Sequence, residues 1–269
     1  MPNLRINDVE LYYEEYGQGP ETIVFGHGLL LHGRMFQRQI DALSDRYRCI
    51  AFDFRTHGKS QRTAEGLDLD SLARDAAAVI ESLDAAPCHY VGLSMGGFIG
   101  LRLAIGRPEL LASLTLIDTS ADPEPQRWRF HMLAVVARCL SPHLVIGSLF
   151  RTMFGRAFLN DPDRRDDREY WRQQFLQNDL PTMTKAITAV LARQGVYEQL
   201  DRITTPTLIV VGEEDRVTSP KYSRRMHARI AHSKLVTIPQ AGHITPVETP
   251  AAVSDALSSF LAELTATRA

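Results

Sequence analysis

Cysteine is scarce, with three in 269 residues: Cys49, Cys88 and Cys139. An odd number with no Cys-x-x-Cys pair excludes a disulfide framework and gives no sign of a zinc site, so all three are expected to be buried thiols. Neither sign of charge is in excess, 30 Lys and Arg standing against 32 Asp and Glu for a formal net charge of −2. Phosphate backbones and anionic membranes attract concentrated cations, so neither nucleic acid nor a membrane is expected as a partner. Long apolar runs are missing too. The longest uncharged stretch, residues 85–101, holds Pro87, His89, Ser94 and four glycines, poor material for a membrane span. The opening Met-Pro-Asn-Leu-Arg-Ile-Asn-Asp carries charge where a signal peptide has its apolar core, which points to the cytoplasm. No Gly-rich phosphate loop, dinucleotide fingerprint or metal-ligand cluster is visible, so no cofactor and no metal are expected.

What the chain does have is ordinary globular composition, 44% hydrophobic and 23% charged, at a length that suits one large domain or one domain with an insertion. Short runs rich in Val, Ile and Leu recur at residues 22–25, 47–52, 89–93, 114–117, 207–211 and 234–238, after a hairpin-like stretch at 4–16. Runs of this kind are strands buried on both faces. Helical spacing fills the gaps, as with Leu72, Ala76, Val79, Ile80 and Leu83, and again with Val253, Leu257, Phe260, Leu261 and Leu264 near the end. Alternating strands and helices predict an α/β fold with a mostly parallel, doubly wound sheet. Residues 122–200 break the alternation: they offer helical stretches rich in Met, Phe, Trp and Leu but no strand. We read them as a helical cap inserted into a core made of residues 1–121 and 201–269. Within it, the mixed-sign segment 161–169 reads as a solvated helix start.

Chemistry concentrates at Gly92-Leu93-Ser94-Met95-Gly96, a G-x-S-x-G pattern where a strand passes into a helix. Such a serine sits in a strained, sharp turn that needs small residues two positions to either side. A serine hydroxyl needs a base to take its proton. His243, in Pro-Gln-Ala-Gly-His directly after the last predicted strand, lies at the same sheet edge. A carboxylate must orient that imidazole. Asp215, at the end of Leu-Ile-Val-Val-Gly-Glu-Glu-Asp, is the first choice, and Asp118, ending the 114–117 strand, is the rival. The developing oxyanion needs two backbone N–H donors. Met95, next to the serine, supplies one, and Leu29, in Gly-His-Gly-Leu after the first buried strand, is the candidate for the other.

With these residues in place the chain resembles the α/β-hydrolase-fold serine hydrolases over nearly its full length. The order Ser94, Asp215, His243 is that family's order of nucleophile, acid and base. The resemblance puts its oxyanion loop on His27, Gly28 and Leu29. Asp53-Phe54-Arg55-Thr56-His57-Gly58-Lys59-Ser60 is similar to the family's D-x-R-x-x-G-x-S loop, which shapes structure near the site. The likeness is strongest to small bacterial carboxylesterases and 3-oxoadipate enol-lactonases. It implies hydrolysis of small, largely apolar esters or lactones through an acyl-enzyme. Carbon–carbon bond hydrolases of the fold usually carry Asn before the serine and a Ser-Gly-Pro-Gly-like oxyanion loop, from which Leu93 and Leu29-Leu30-Leu31 depart. A non-catalytic protein that captures a small ligand on the same fold is the competing class. Leu30, Trp128, Phe130, Met132, Trp171 and Phe175 are the candidates for lining an apolar substrate site.

Overall fold

The computed structural model describes residues 3–124 and 142–268. Trp128, Phe130, Met132 and Cys139 lie outside the described residues. Eight described strands form one sheet: β1 (Asn3–Ile6), β2 (Val9–Tyr16), β3 (Thr22–Gly26), β4 (Arg48–Phe52), β5 (Cys88–Leu93), β6 (Leu111–Ile117), β7 (Thr207–Gly212) and β8 (Lys234–Ile238). Their spatial order is β1-β2-β4-β3-β5-β6-β7-β8. β1 and β2 form an antiparallel hairpin whose turn uses Asn7 at positive φ, and β2 meets β4 antiparallel; the other pairs are parallel. Every residue of β3, β5, β6 and β7 is buried, as continuous apolar strands in a two-sided parallel sheet must be.

Successive strand residues feed two cores. Val24, Tyr90, Leu114, Leu116 and Ile209 face one side, where they pack on α2 (Leu69–Ser82), α3 (Met95–Gly106) and Met226. Ile23, Phe25, Val91, Leu208 and Val210 face the other, with Ile40 and Leu43 of α1 (Gln37–Leu43) and the stripe Val253, Leu257, Phe260 and Leu261. That stripe lies on the last helix, Pro250–Arg268, at the spacing read from the sequence. α2 begins at Asp68, whose carboxylate accepts the Ser71 N–H and so satisfies a donor that the first turn leaves open.

The chain runs from β3 through α1 to β4 on one side, then through α2 to β5 on the other side of β3. The winding therefore reverses between β3 and β5, and the loops at their carboxyl ends part to leave a crevice, the usual place for a ligand in a parallel sheet. Between β6 and β7 lie α4 (Pro142–Met153), α5 (Arg156–Asn160), α6 (Arg165–Leu176) and α7 (Leu180–Leu191). Phe150, Phe154, Phe158 and Phe175 from this run bury rings against one another. The segment 161–169 starts a helix and none of its residues is buried, as its charge pattern suggested, though two of its arginines also bond backbone. Arg164 donates to the Val247 and Glu248 carbonyls, and Arg168 to those of Phe158 and Asp161.

Candidate active site

Ser94 stands between β5 and α3 with φ 49° and ψ −109°, a conformation that costs energy in any residue bearing a Cβ. The surroundings enforce it. A Cβ on Gly92 would lie 2.4 Å from the Gly96 carbonyl oxygen, and one on Gly96 would lie 2.0 Å from that of Gly26. Only hydrogen fits at either place. The Ser94 N–H donates to the Ile117 carbonyl, while its own carbonyl accepts the Thr119 hydroxyl at 2.8 Å and the Phe98 N–H at 2.9 Å. The strained backbone is thus held by β6, by Thr119 just beyond it and by α3.

The hydroxyl meets His243 Nε2 at 3.0 Å, and His243 Nδ1 meets Asp215 Oδ2 at 2.9 Å. Asp215 Oδ1 accepts the Val217 and Thr218 N–H groups, and Oδ2 also accepts the Thr218 hydroxyl. Such a carboxylate is oriented before the imidazole arrives, and it fixes the Nδ1–H tautomer that leaves Nε2 free to accept from the serine. Burial works against charge on His243, yet Asp215 beside it, helped by Asp118 and Glu248, carries its pKa above the ordinary histidine value. Burial likewise works to raise Asp215, but the imidazole and Thr218 hold its carboxyl below the usual range.

The rival Asp118 makes no hydrogen bond to His243. Its Oδ1 accepts the Gly212 N–H, and its Oδ2 accepts both the N–H and the hydroxyl of Thr245. It ties the ends of β6 and β7 to the segment after His243. Burial, then the charge of Asp215, push its pKa up to about 7. A third carboxylate escaped the sequence reading. Glu248, only 5% exposed, accepts the Gly155 and Gly242 N–H groups at 2.7 and 2.9 Å and the Ile244 N–H at 3.0 Å, so it brackets His243 on both sides. The His243 N–H itself donates to the Met153 carbonyl of α4.

The loop after β3 is joined to this assembly through backbone. The His27 carbonyl accepts the Gly96 N–H at 3.1 Å. The His27 ring donates from Nδ1 to the Gly28 carbonyl and accepts the Phe54 N–H on Nε2, an arrangement that requires the neutral ring; burial holds its pKa well below the ordinary value. Met95 is the first residue of α3, so its N–H has no acceptor within the helix and is available beside the serine. The 53–60 loop is structural, as its resemblance implied. Asp53 accepts the Gly33 and Lys59 N–H groups, Arg55 grips Asp75 through two hydrogen bonds, and Ser60 bonds the Asp53 carbonyl.

Above Ser94 and His243 opens a cavity of about 160 Å³, bordered by Leu29, Leu30, Phe98, Phe175, Met183 and Val190 among others. Leu30 and Phe175 border it. Trp171 does not: it is buried away from this cavity and stacks on His32 with ring centroids 5.9 Å apart. Its place on α6, one turn before Phe175, sets it about 6 Å away along the same helix face. Cys49 and Cys88 are buried free thiols, and burial pushes both up to about 12, far from reactivity. Among the described residues no group of His, Cys, Asp or Glu could hold a metal ion, and no helix is long and apolar enough to cross a membrane.

A parallel sheet with a serine on the turn after β5 and an aspartate and a histidine on the loops after β7 and β8 defines a protein built as a hydrolase of the α/β class. Residues 21–250 match the model of the alpha/beta hydrolase fold family, and the chain belongs to that family. It is 29% identical to 3-oxoadipate enol-lactonase 2 of Acinetobacter baylyi, over 96% of this chain and 95% of the relative. A thermophilic esterase from Thermogutta terrifontis superposes with a TM-score of 0.89 at 27% identity, covering 98% of this chain and 99% of the other. The enol-lactonase of Burkholderia xenovorans LB400 superposes with a TM-score of 0.89 at 25% identity, covering 97% and 100%.

Proposed function

We propose that this protein is a serine hydrolase that cleaves carboxylic esters or lactones of small, largely apolar molecules through an acyl-enzyme. The observation that carries the reading is the unbroken line Ser94, His243, Asp215, at 3.0 and 2.9 Å, on the floor of an apolar cavity. Ser94 Oγ attacks the scissile carbonyl while His243 Nε2 takes its proton, and Asp215 stabilises the imidazolium that forms. The N–H groups of Met95 and Leu29 hold the oxyanion. On collapse the carbon–oxygen bond to the alcohol breaks, and the alcohol leaves with the proton from His243. Water, activated by the same imidazole, then frees the acid and restores the serine. These groups complete the reaction without a cofactor.

Residues 122–200 act in this scheme as the cap that sets substrate choice, with Leu30 and Phe175 as contacts to the acyl or lactone part. Support comes from the placement of α4, α6 and α7, which contribute Leu149, Phe175 and Met183 to the cavity. The names of the relatives, esterase and enol-lactonase, favour the same bond type. The test is hydrolysis of p-nitrophenyl acetate and butyrate and of a small lactone panel by the purified protein. Turnover that Ser94→Ala abolishes is expected, and no turnover of any member above the Ser94→Ala background would overturn the reading.

A further inference from the structure

The described lining of the cavity over Ser94 is mostly apolar. Among the described lining residues only Glu124 and Arg193 are charged away from the serine and histidine, and they face each other with Arg193 Nη2 3.1 Å from Glu124 Oε2. Their side chains are 7% and 4% exposed. Arg193 also donates from Nε to the Asp122 carbonyl and from Nη1 to that of Val190, and its guanidinium lies 4.2 Å above the Phe98 ring. Phe98 sits one turn of α3 beyond Ser94, about 6 Å along the helix axis. The pair therefore stands several carbon atoms' length from the reacting carbonyl.

A buried ion pair is a poor way to gain stability, because removing two charges from water offsets their attraction and apolar side chains of equal volume serve as well. Placed against a ligand cavity, the same pair becomes a point of discrimination. A guanidinium has five N–H groups, and the three hydrogen bonds to Asp122, Val190 and Glu124 use one on each nitrogen, which leaves one on Nη1 and one on Nη2. Both belong to a residue that borders the cavity, whose described polar lining residues besides the pair are Asn178, Thr218, Ser94 and His243. A carboxylate entering there would gain from Arg193 but meet the negative charge of Glu124. An uncharged oxygen meets no such penalty.

We propose that the Glu124–Arg193 pair recognises a neutral carbonyl oxygen carried on the acyl chain remote from the scissile bond, so that the preferred substrates are esters or lactones of oxo-acids. The proposal rests on the serine-hydrolase reading above and adds the substrate class. Arg193 is a specificity residue in it, and the chemistry at Ser94 needs neither member of the pair.

The experiment uses p-nitrophenyl esters of straight-chain acids from pentanoyl to octanoyl, each alongside esters in which a ketone is moved one carbon at a time along the chain. kcat/KM is measured on wild type and on the double variant Glu124→Leu with Arg193→Met, which removes both charges together. The expected result is that at one ketone position, or two adjacent ones, the oxo-to-alkyl ratio of kcat/KM in wild type exceeds that of the double variant by about 10- to 100-fold, the range for a hydrogen bond from a charged donor. Simple alkanoates should be hydrolysed equally well or better by the variant. Equal ratios in both proteins at every position would overturn the proposal. The wild-type series decides independently if the variant does not fold: a uniform penalty for the ketone with no favoured position refutes recognition at this pair. Hydrolysis of neither series would instead bring down the serine-hydrolase reading, and the proposal with it.

Discussion

At the scale of single residues, three carboxylates surround one histidine, and their hydrogen bonds separate their roles. Asp215 bonds the ring, whereas Asp118 and Glu248 bond backbone. Asp215→Asn should lower kcat by about 10⁴-fold, since an amide favours the wrong imidazole tautomer. Asp118→Asn should cost far less, and steady-state kinetics on the two variants that gave the reverse order would move the acid to β6. The pH dependence carries a sign. A base must be neutral to accept the serine proton, so kcat/KM should rise with pH through a midpoint above the ordinary histidine value of about 6.5. Asp118→Asn removes a negative charge that favours the imidazolium, so its midpoint should move to lower pH; a shift upward would contradict the electrostatics described. The grouping of Ser94, Asp215 and His243 could be read from the sequence because the nucleophile, acid and base proposed here each follow a strand end. Glu248 could not. In Thr-Pro-Val-Glu-Thr-Pro it looks like a surface residue, and only the folded loop shows three amides converging on it. Glu124 and Arg193 were hidden for the same reason, being 69 residues apart and brought together by the winding of the chain.

Among elements, the strands were the most legible, because burial on both faces leaves little but Val, Ile, Leu and Phe between two turn clusters. Their ends were less so. β6 begins at Leu111, three residues before the apolar run suggested, because polar Ser113 is accepted inside the sheet through its hydrogen bond to His89 Nδ1 at 2.8 Å. The loop carrying His243 depends on a neighbouring element, the four-residue helix Thr245–Glu248 that ends in the Glu248 carboxylate. Glu248→Ala should destabilise the protein by about 3 kcal/mol, the scale of leaving buried N–H groups unpaired, and should lower kcat as His243 loses its place. Glu248→Gln keeps one acceptor oxygen and should fall between the two. Urea unfolding monitored by circular dichroism, with esterase assays on the same samples, checks both. Stability and kcat unchanged in Glu248→Ala would show that the clamp positions nothing.

For the whole molecule, the doubly wound sheet follows from the alternation of strand and helix, and the placement of the site follows from the reversal between β3 and β5. The identity of the cavity-lining side chains was only partly legible, since helical apolar residues pack inward or face a ligand according to tertiary geometry that periodicity does not contain. Phe175 borders the cavity and Trp171 does not. Accordingly Phe175→Ala should change relative kcat/KM along a series of p-nitrophenyl esters by about 10-fold or more, and Trp171→Ala should leave the ranking of chain lengths unchanged. A changed ranking in Trp171→Ala alone would reverse the assignment. The central claim is that the chain works through a covalent intermediate on one serine, and the most direct measurement is labelling with diethyl p-nitrophenyl phosphate read by intact-protein and peptide mass spectrometry. The account predicts release of one equivalent of p-nitrophenol, one diethylphosphoryl group on the peptide containing Ser94, and no label in Ser94→Ala. Stoichiometric labelling at another residue, or undiminished labelling of Ser94→Ala, would contradict it.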